Sequence, residues 1–449
     1  MIRIIIFTSF ILWSSLGLAQ NNKEYSFTIE EAITFALDSS YTAINSRRDV
    51  AKAIKKKWET TATGLPQISA ELNYQNNLKQ PVTLLPGEIA GGLPGTFVPI
   101  TFGTKQNGSA TATLNQLIFD GSYLVGLQAA KVFLNYSKNA DEKTKLEIRK
   151  GVINAYGSVL LAEELISIFE KNKITLEKNL NETRAIYENG LTEEENVEQL
   201  EITLIDIKNQ LNNSKRSKII ARQMFNLAIG IDVNNKVTFK EKLEDLANQN
   251  ISLNTLDSTF NMDNNIDFRI ANNFTKQRSL ELKLEKSKAL PTLSAFVNYG
   301  TSANSDSFTF FDSEQIWYQS SLLGLKMNIP IFSSGMRGAK TQQARISLDQ
   351  AKTDLINTKQ NILLELNTAK SNYRFSIDNY DNAKKNLALA ERIENKNQIK
   401  FKEGLTTSFD LRQAQIQLYS AQQQYFQSML EVINSKSSLD TVLNNSNLN

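Results

Sequence analysis

The sequence predicts a mainly helical fold with membrane β-strands, built from a duplicated helix, β-hairpin, helix unit. Three observations carry this: an internal repeat, a hydrophobic period that switches between helix and strand inside each copy, and helical runs too long for a compact domain.

The repeat fixes the architecture. Gly64-Leu65-Pro66-Gln67-Ile68-Ser69-Ala70 recurs as Ala289-Leu290-Pro291-Thr292-Leu293-Ser294-Ala295, an offset of 225 (291 − 66). Leu117-Ile118-Phe119-Asp120-Gly121 is answered by Pro330-Ile331-Phe332-Ser333-Ser334-Gly335, and Tyr187-Glu188-Asn189-Gly190-Leu191-Thr192 by Phe401-Lys402-Glu403-Gly404-Leu405-Thr406, the glycines 214 apart in both cases (335 − 121 and 404 − 190). One length change between the first and second marks leaves the two halves otherwise nearly colinear. The expected boundaries are 20–230 for the first repeat, 231–265 for an Asn-rich connecting segment and 266–449 for the second repeat.

Ahead of the repeats, Arg3 precedes an apolar stretch, Ile4 to Leu18, that ends in Gly17-Leu18-Ala19. Charge, apolar core and small residues in that order predict a cleavable secretory signal over 1–19. A single membrane anchor is the bland alternative, but Thr8, Ser9, Ser14 and Ser15 interrupt the run of about 18 apolar residues that a span requires. No later segment is expected to reach that length, so a membrane crossing would have to use strands.

Each repeat opens with a helix, about Thr28 to Thr63 and Asn264 to Ala289, followed by a strand of period two. Ile68, Ala70, Leu72 and Tyr74 alternate with Gln67, Ser69, Glu71 and Asn73, and Leu293, Ala295, Val297 and Tyr299 keep the same phase. The returning strands carry Ala110, Ala112, Leu114 and Ile118 in one copy and Leu323, Leu325, Met327, Ile329 and Ile331 in the other. The hairpins therefore span about 66–119 and 291–332. A soluble sheet with one wet face explains alternation equally well. Strands of about 10 residues can also cross a tilted bilayer, and no second apolar sheet exists in the sequence to cover them. On the membrane reading Ile68, Leu72, Tyr74, Leu293, Val297, Tyr299, Leu325 and Met327 face lipid, while Asn73 and Asn298 face the lumen. Four strands close no barrel, so several chains must share one. Lys79 to Gly108, with four prolines and Gly91-Gly92, is expected to be an irregular outer loop. Ser302 to Ile316 is a second, shorter loop, and packing over the pore mouth is expected of such loops ahead of a receptor role.

A run of 67 residues from Ser122 to Glu188 follows the first hairpin, about 100 Å of helix. Ile148, Val152, Ala155, Val159, Ala162, Ile166, Phe169, Leu176 and Leu180 step by fours and threes, with Lys173 at the gap. Ile362, Leu366, Ala369, Tyr373, Ser376, Tyr380, Ala383, Leu387 and Ala390 repeat the pattern. That alternation is coiled-coil packing. At Gly190-Leu191-Thr192 and Gly404-Leu405-Thr406 glycine can end one helix and threonine can cap the next, giving tips at about 189–192 and 403–406. Return helices run from about Thr192 to Ile229 and Thr406 to Leu443.

This order of helix, Leu-Pro-led hairpin, Phe-containing strand end, very long helix and Gly-Leu-Thr tip resembles the TolC-like outer-membrane efflux proteins over nearly the whole mature chain. The resemblance implies a homotrimer pooling four strands per chain in one transmembrane β-barrel, with the helices forming a coiled-coil α-barrel through the periplasm. It implies that Gly190, Leu191, Thr192, Gly404, Leu405 and Thr406 meet a periplasmic adaptor (membrane fusion) protein linked to an inner-membrane pump. It also implies a passive duct in the outer membrane of a Gram-negative bacterium, with no cofactor and no catalysis, serving a tripartite efflux system or, alternatively, type I protein secretion. The family's entrance aspartate ring falls on Asp410. Its second acidic position is Gln413 here, and the first-repeat equivalent of Asp410 is Asn196, so a doubled ring is not expected. Asp410 reads equally as a first-turn acid at the positive end of its helix.

Composition bears on the competing classes. With 50 basic and 47 acidic residues the net charge of +3 supplies no field for nucleic acid. The chain has no cysteine and no histidine, which removes disulfides, thiolate sites, His-ligated zinc and histidine general bases. An adaptor would carry one helical hairpin between compact β-domains, whereas this chain carries two. Glu193-Glu194-Glu195 reads as first-turn acids, not as the paired carboxylates of an envelope hydrolase. The cargo is not encoded in a passive duct.

Overall fold

The computed structural model describes residues 24–256 and 259–444, so the expected signal over 1–19 lies outside the described residues. In chain order the elements are β1 (Tyr25–Phe27), α1 (Ile29–Ser39), α2 (Tyr41–Ala62), β2 (Gln67–Asn76), β3 (Val82–Pro86), β4 (Phe97–Thr101), β5 (Gln106–Phe119), α3 (Gly121–Glu188), α4 (Glu194–Ile229), β6 (Val237–Phe239), α5 (Leu243–Gln249), α6 (Ile266–Ser287), β7 (Thr292–Ser305), β8 (Tyr318–Asn328), α7 (Met336–Lys402) and α8 (Ser408–Leu443). The chain divides into two compact units, one from 1–50, 137–272 and 354–449, the other from 51–136 and 273–353. Each draws on both sequence halves: the hairpins go to one unit and the helical ends to the other.

The strand unit is a four-stranded antiparallel sheet in the order β2-β5-β7-β8. β5 and β7 join the two hairpins, and β2 and β8 are its edges. The register aligns the apolar phases across all four strands: Ile68, Leu114, Val297 and Leu323 form one row, and Leu293 stands opposite Met327. On the reverse face Asn73, Ser109 and Ser302 share a row. A register shift between Leu117 and Phe119 puts Phe119, not Ile118, opposite Leu293. The expected phase of Ile118 is corrected by this bulge, which adds one residue to the strand and flips everything after it.

Two other expectations about local structure are overturned. The stretch after β2 is not irregular, because β3 and β4 pair as an antiparallel hairpin with Leu84 opposite Pro99. Proline is tolerated there since a two-stranded ribbon leaves half of its amides unpaired. The first helix is not continuous. It breaks at Ser40, whose backbone is extended and whose hydroxyl accepts from the Ala43 amide at 3.3 Å. Thr28 and Glu31 form a capping box at the start of α1.

In the helical unit the seam of α3 is buried at Ile148, Val152, Val159, Ala162, Phe169, Leu176 and Leu180, and that of α7 at Ile362, Leu366, Tyr373, Ser376, Tyr380, Ala383 and Ala390. The gap expected at Lys173 is filled by its neighbour: Asn172 is buried and its amide donates to Gln422 Oε1 of α8 at 2.8 Å. An uncharged amide satisfies its hydrogen bonds inside the seam more cheaply than an ammonium would. α3 also corrects the expectation that no later segment is apolar enough to span a membrane, since an 18-residue window of it passes by length and composition. Its apolar residues serve the core, with Val152, Tyr156 and Val159 fully buried. Beside them β1 runs parallel to β6, and the hydroxyl of Tyr156 donates to Phe27 O at 3.1 Å. The 250–252 segment is held by Tyr373 of α7, whose hydroxyl donates to Asn250 O at 2.7 Å and accepts from Ser252 N at 2.9 Å.

Candidate functional site: the paired helical tips

Both tips are built by one device. Gly190 has φ +73° and Gly404 has φ +70°, a conformation that costs an L side chain about 1–2 kcal/mol and glycine almost nothing. At the first tip the Gly190 amide donates to Tyr187 O at 2.7 Å and the Leu191 amide to Ile186 O at 3.1 Å. At the second the Gly404 amide donates to Phe401 O at 3.1 Å and the Leu405 amide to Lys400 O at 2.8 Å. This double bond pattern is the Schellman motif, which satisfies carbonyls left over at the helix end. The residue after the glycine usually packs back on its own helix. Here it does not: Leu191 is 78% exposed and Leu405 75%.

The helices that leave the tips start differently. Thr407, not Thr406, caps α8, and it forms a capping box with Asp410. Glu193, not Thr192, is the cap of α4 and makes no side-chain cap bond. Both expected threonine caps are thus displaced by one residue, because each Schellman turn consumes the residue after its leucine. The pattern Thr407-Ser408-Phe409-Asp410 carries the capping-box spacing and was readable in the sequence.

Asp410 receives three hydrogen bonds at Oδ2, from the Thr407 hydroxyl at 2.7 Å, the Thr406 hydroxyl at 2.8 Å and the Thr407 amide at 3.3 Å. The Thr407 hydroxyl first, and the Thr406 hydroxyl next, hold its carboxyl below the usual aspartate value. Its carboxylate is engaged locally as a first-turn acid and remains exposed to solvent.

The structure brings the two tips together. Asn196, the first-repeat counterpart of Asp410, donates to Thr192 Oγ1 at 2.7 Å, and its carbonyl oxygen accepts from the Ser408 hydroxyl. An open cleft of about 1200 Å³ lies between the tips, lined by Asn179, Thr183 and Thr192 from one side and by Phe401, Thr407 and Phe409 from the other. The polar tie through Ser408 carried no signal in the sequence, since a serine at N1 of a helix is common. Of the strand residues, Ile68, Leu72, Tyr74, Val297, Tyr299, Leu325 and Met327 are exposed on the sheet and Leu293 is half-buried.

Residues 262–445 match the family model described as outer membrane efflux protein. Outer membrane protein TolC from Salmonella enteritidis is 22% identical over 337 residues, covering 70% of this chain. The chain spans 65% of that relative's length, just under two thirds. Among solved structures, the fold matches VceC of Vibrio cholerae with a TM-score of 0.71 at 14% identity, over 92% of this chain and 95% of that one. It matches the CmeC outer membrane channel of Campylobacter jejuni with a TM-score of 0.72 at 16% identity, over 92% and 85%. CusC gives 0.74 at 16% identity, over 92% and 91%.

Proposed function

Because this chain belongs to the TolC-like outer membrane efflux proteins and resides in the outer membrane, we propose that it is the passive exit duct of a tripartite efflux system. Three copies pool their sheets in one twelve-stranded barrel, and the helices of 20–230 and 266–449, joined by 231–265, line a tunnel. The observation that carries this reading is the four-stranded sheet, apolar on one face and open at both edges. An open edge in hydrocarbon leaves backbone groups unpaired at several kcal/mol each, whereas a second copy offers the missing strand.

Ile68, Leu72, Tyr74, Leu293, Val297, Tyr299, Leu325 and Met327 then face lipid. Gly190, Leu191, Thr192, Gly404, Leu405 and Thr406 meet the hairpin tip of a periplasmic adaptor that couples the duct to an inner-membrane pump, and the exposed leucines supply the apolar contact. Asp410 stands at the entrance as a single acidic ring. The duct performs no catalysis; it lowers no barrier and only connects two aqueous spaces.

The test joins assembly to transport. Outer-membrane fractions should hold a heat-resistant trimer, and deletion of the gene should raise the susceptibility of the cells to small toxic compounds. A monomer in those fractions would refute the shared barrel. Retention of a large exported protein with unchanged susceptibility would move the duct to type I secretion.

A further inference from the structure

The segment between β7 and β8 does not stand free of the sheet. It doubles back over one end of the apolar face, and its aromatic rings form a cluster with residues of the strands. Tyr74 of β2 packs edge-on against Phe308 and Phe310, with ring centroids 5.6 Å apart in both cases. Phe308 touches Phe310 at 5.7 Å and Phe311 at 5.8 Å, and Phe310 touches Trp317 at 6.2 Å.

The register identifies the face. Tyr74 stands opposite Gly108, and Gly108 opposite Ala303, in phase with the row Ile68, Leu114, Val297 and Leu323. Gly108 is where the cluster lands: a Cβ at that position would lie 2.9 Å from the Phe310 ring and 3.5 Å from Trp317. Phe310 and Ala303 are buried beneath the cluster, while Phe308 is exposed and Phe311 is 89% exposed. Aromatic residues thus project outward from the apolar face, not from the polar one. Sealing Phe310 alone does not require Phe308 and Phe311 to reach into the surroundings.

We propose that this cluster is an aromatic collar that seats in the interfacial layer of the membrane's outer leaflet and fixes the depth of the barrel, with Phe311 and Phe308 as the inserting groups. The occupant is lipid for three reasons. The cluster continues the apolar face without a polar break. Rings with one polar edge, as in Tyr74 and Trp317, are favoured at the boundary between hydrocarbon and water. The chain also resides in the outer membrane. The inference rests on the reading that the apolar face of the sheet meets lipid, and it departs from the expectation that this loop packs over the pore mouth.

The chain has no cysteine, so single cysteines report without background. Phe311→Cys and, separately, Leu323→Cys are made in the full-length protein, labelled with a nitroxide and reconstituted in phospholipid vesicles. Accessibility to oxygen, which concentrates in hydrocarbon, is compared with accessibility to a water-soluble nickel complex. Leu323→Cys should show a high oxygen-to-nickel ratio, and Phe311→Cys an intermediate ratio with a rise over the free label in buffer. If Leu323→Cys reads as lipid-exposed and Phe311→Cys matches the free label, the collar is refuted while the lipid face stands. If Leu323→Cys itself matches an aqueous site, the lipid-face reading fails and the collar with it. A Phe311→Cys label shielded from both reagents would mean that another copy covers the cluster, which also overturns the proposal. Both substituted positions are exposed, so loss of folding is not expected to intervene.

Discussion

Gly404→Asp should abolish export while leaving the trimer intact. Gly404 has φ +70° and nothing within 4 Å of the position its Cβ would take, so substitution costs backbone strain and no steric clash. That strain is about 1–2 kcal/mol for an ordinary residue and less for Asn or Asp, which tolerate the left-handed region. A domain with about 5–15 kcal/mol of stability survives it. If the adaptor docks on this turn beside the exposed Leu405, the aspartate becomes an unpaired charge in a desolvated contact. Such a charge costs about 3 kcal/mol or more, roughly a hundredfold in affinity. Gly404→Ala and Gly404→Asn separate the two effects, since alanine carries the strain without charge and asparagine carries little of either. The assay sets trimer yield in outer-membrane fractions beside dye efflux in the same cells. Alanine and asparagine should export nearly as the native chain does, and aspartate should not. Normal export by Gly404→Asp would remove the tip from the mechanism, and equal failure of all three with loss of trimer would make the glycine merely structural.

Other consequences follow from named contacts. Arginine at Leu72, which is 85% exposed on the apolar face, should cost about 2–4 kcal/mol near mid-depth and lower trimer yield. Leu72→Cys should resist a membrane-impermeant thiol reagent that labels Asn73→Cys, and the reverse pattern would invert the register. Gln422→Ala strands the buried Asn172 amide and should destabilise the helical unit by about 1–3 kcal/mol, while leucine at both positions restores most of it; thermal melts of the helical signal decide, and additive losses would mean the pair is not coupled. The lowered carboxyl of Asp410 keeps its cap bonds at neutral and mildly acidic pH, because a depressed folded-state value contributes above the unfolded value and is lost only as pH falls through the folded one. Thr407→Val should therefore move the Asp410 titration back up toward the ordinary value, read by carboxyl NMR in detergent, and an unmoved titration would transfer the cause to Thr406 or Lys400.

Long-range repetition made the fold readable, since a pattern present twice at a near-constant offset is hard to produce without a shared structure. The strand phases and the long-helix seams follow from side-chain periodicity, which is set by backbone geometry. What escaped was local and depended on partners. The break at Ser40 rests on one hydroxyl closing on Ala43, and serine is ordinary inside helices. The β3–β4 hairpin hides behind prolines because only one of its sides needs amides. The bulge at Ile118 shifts phase without changing composition. Asn172 entered the seam in place of Lys173 because Gln422, 250 residues away, was there to accept its hydrogen bond. At the site the glycines were legible, as positive φ leaves few other choices, whereas the tie from Ser408 to Asn196 was not.

That tie explains how the two tips have diverged. In the second repeat Thr407 and Asp410 bond each other across the first turn of α8, and Asp410 also accepts from the Thr406 hydroxyl. The equivalent positions of the first repeat, 214 residues earlier, are Glu193 and Asn196 (407 − 214 and 410 − 214), which form no such box. The Glu193 side chain makes no cap bond, and the Asn196 side-chain amide is not drawn into a capping box. It donates to Thr192 and accepts from Ser408, and by doing so it fastens the two tips to one another. A strict repeat, with Thr and Asp in both places, would engage residue 196 within its own first turn, as Thr406 and Thr407 engage Asp410. The bond from the Ser408 hydroxyl is therefore a contact between the tips made at a position whose counterpart serves its own cap. Asn196→Leu should undo the arrangement by removing both the donor to Thr192 and the acceptor for Ser408. The predicted sign is a looser pair of tips, seen as faster hydrogen exchange at 404–408 in the full-length protein, and unchanged exchange there would show that the link bears no weight.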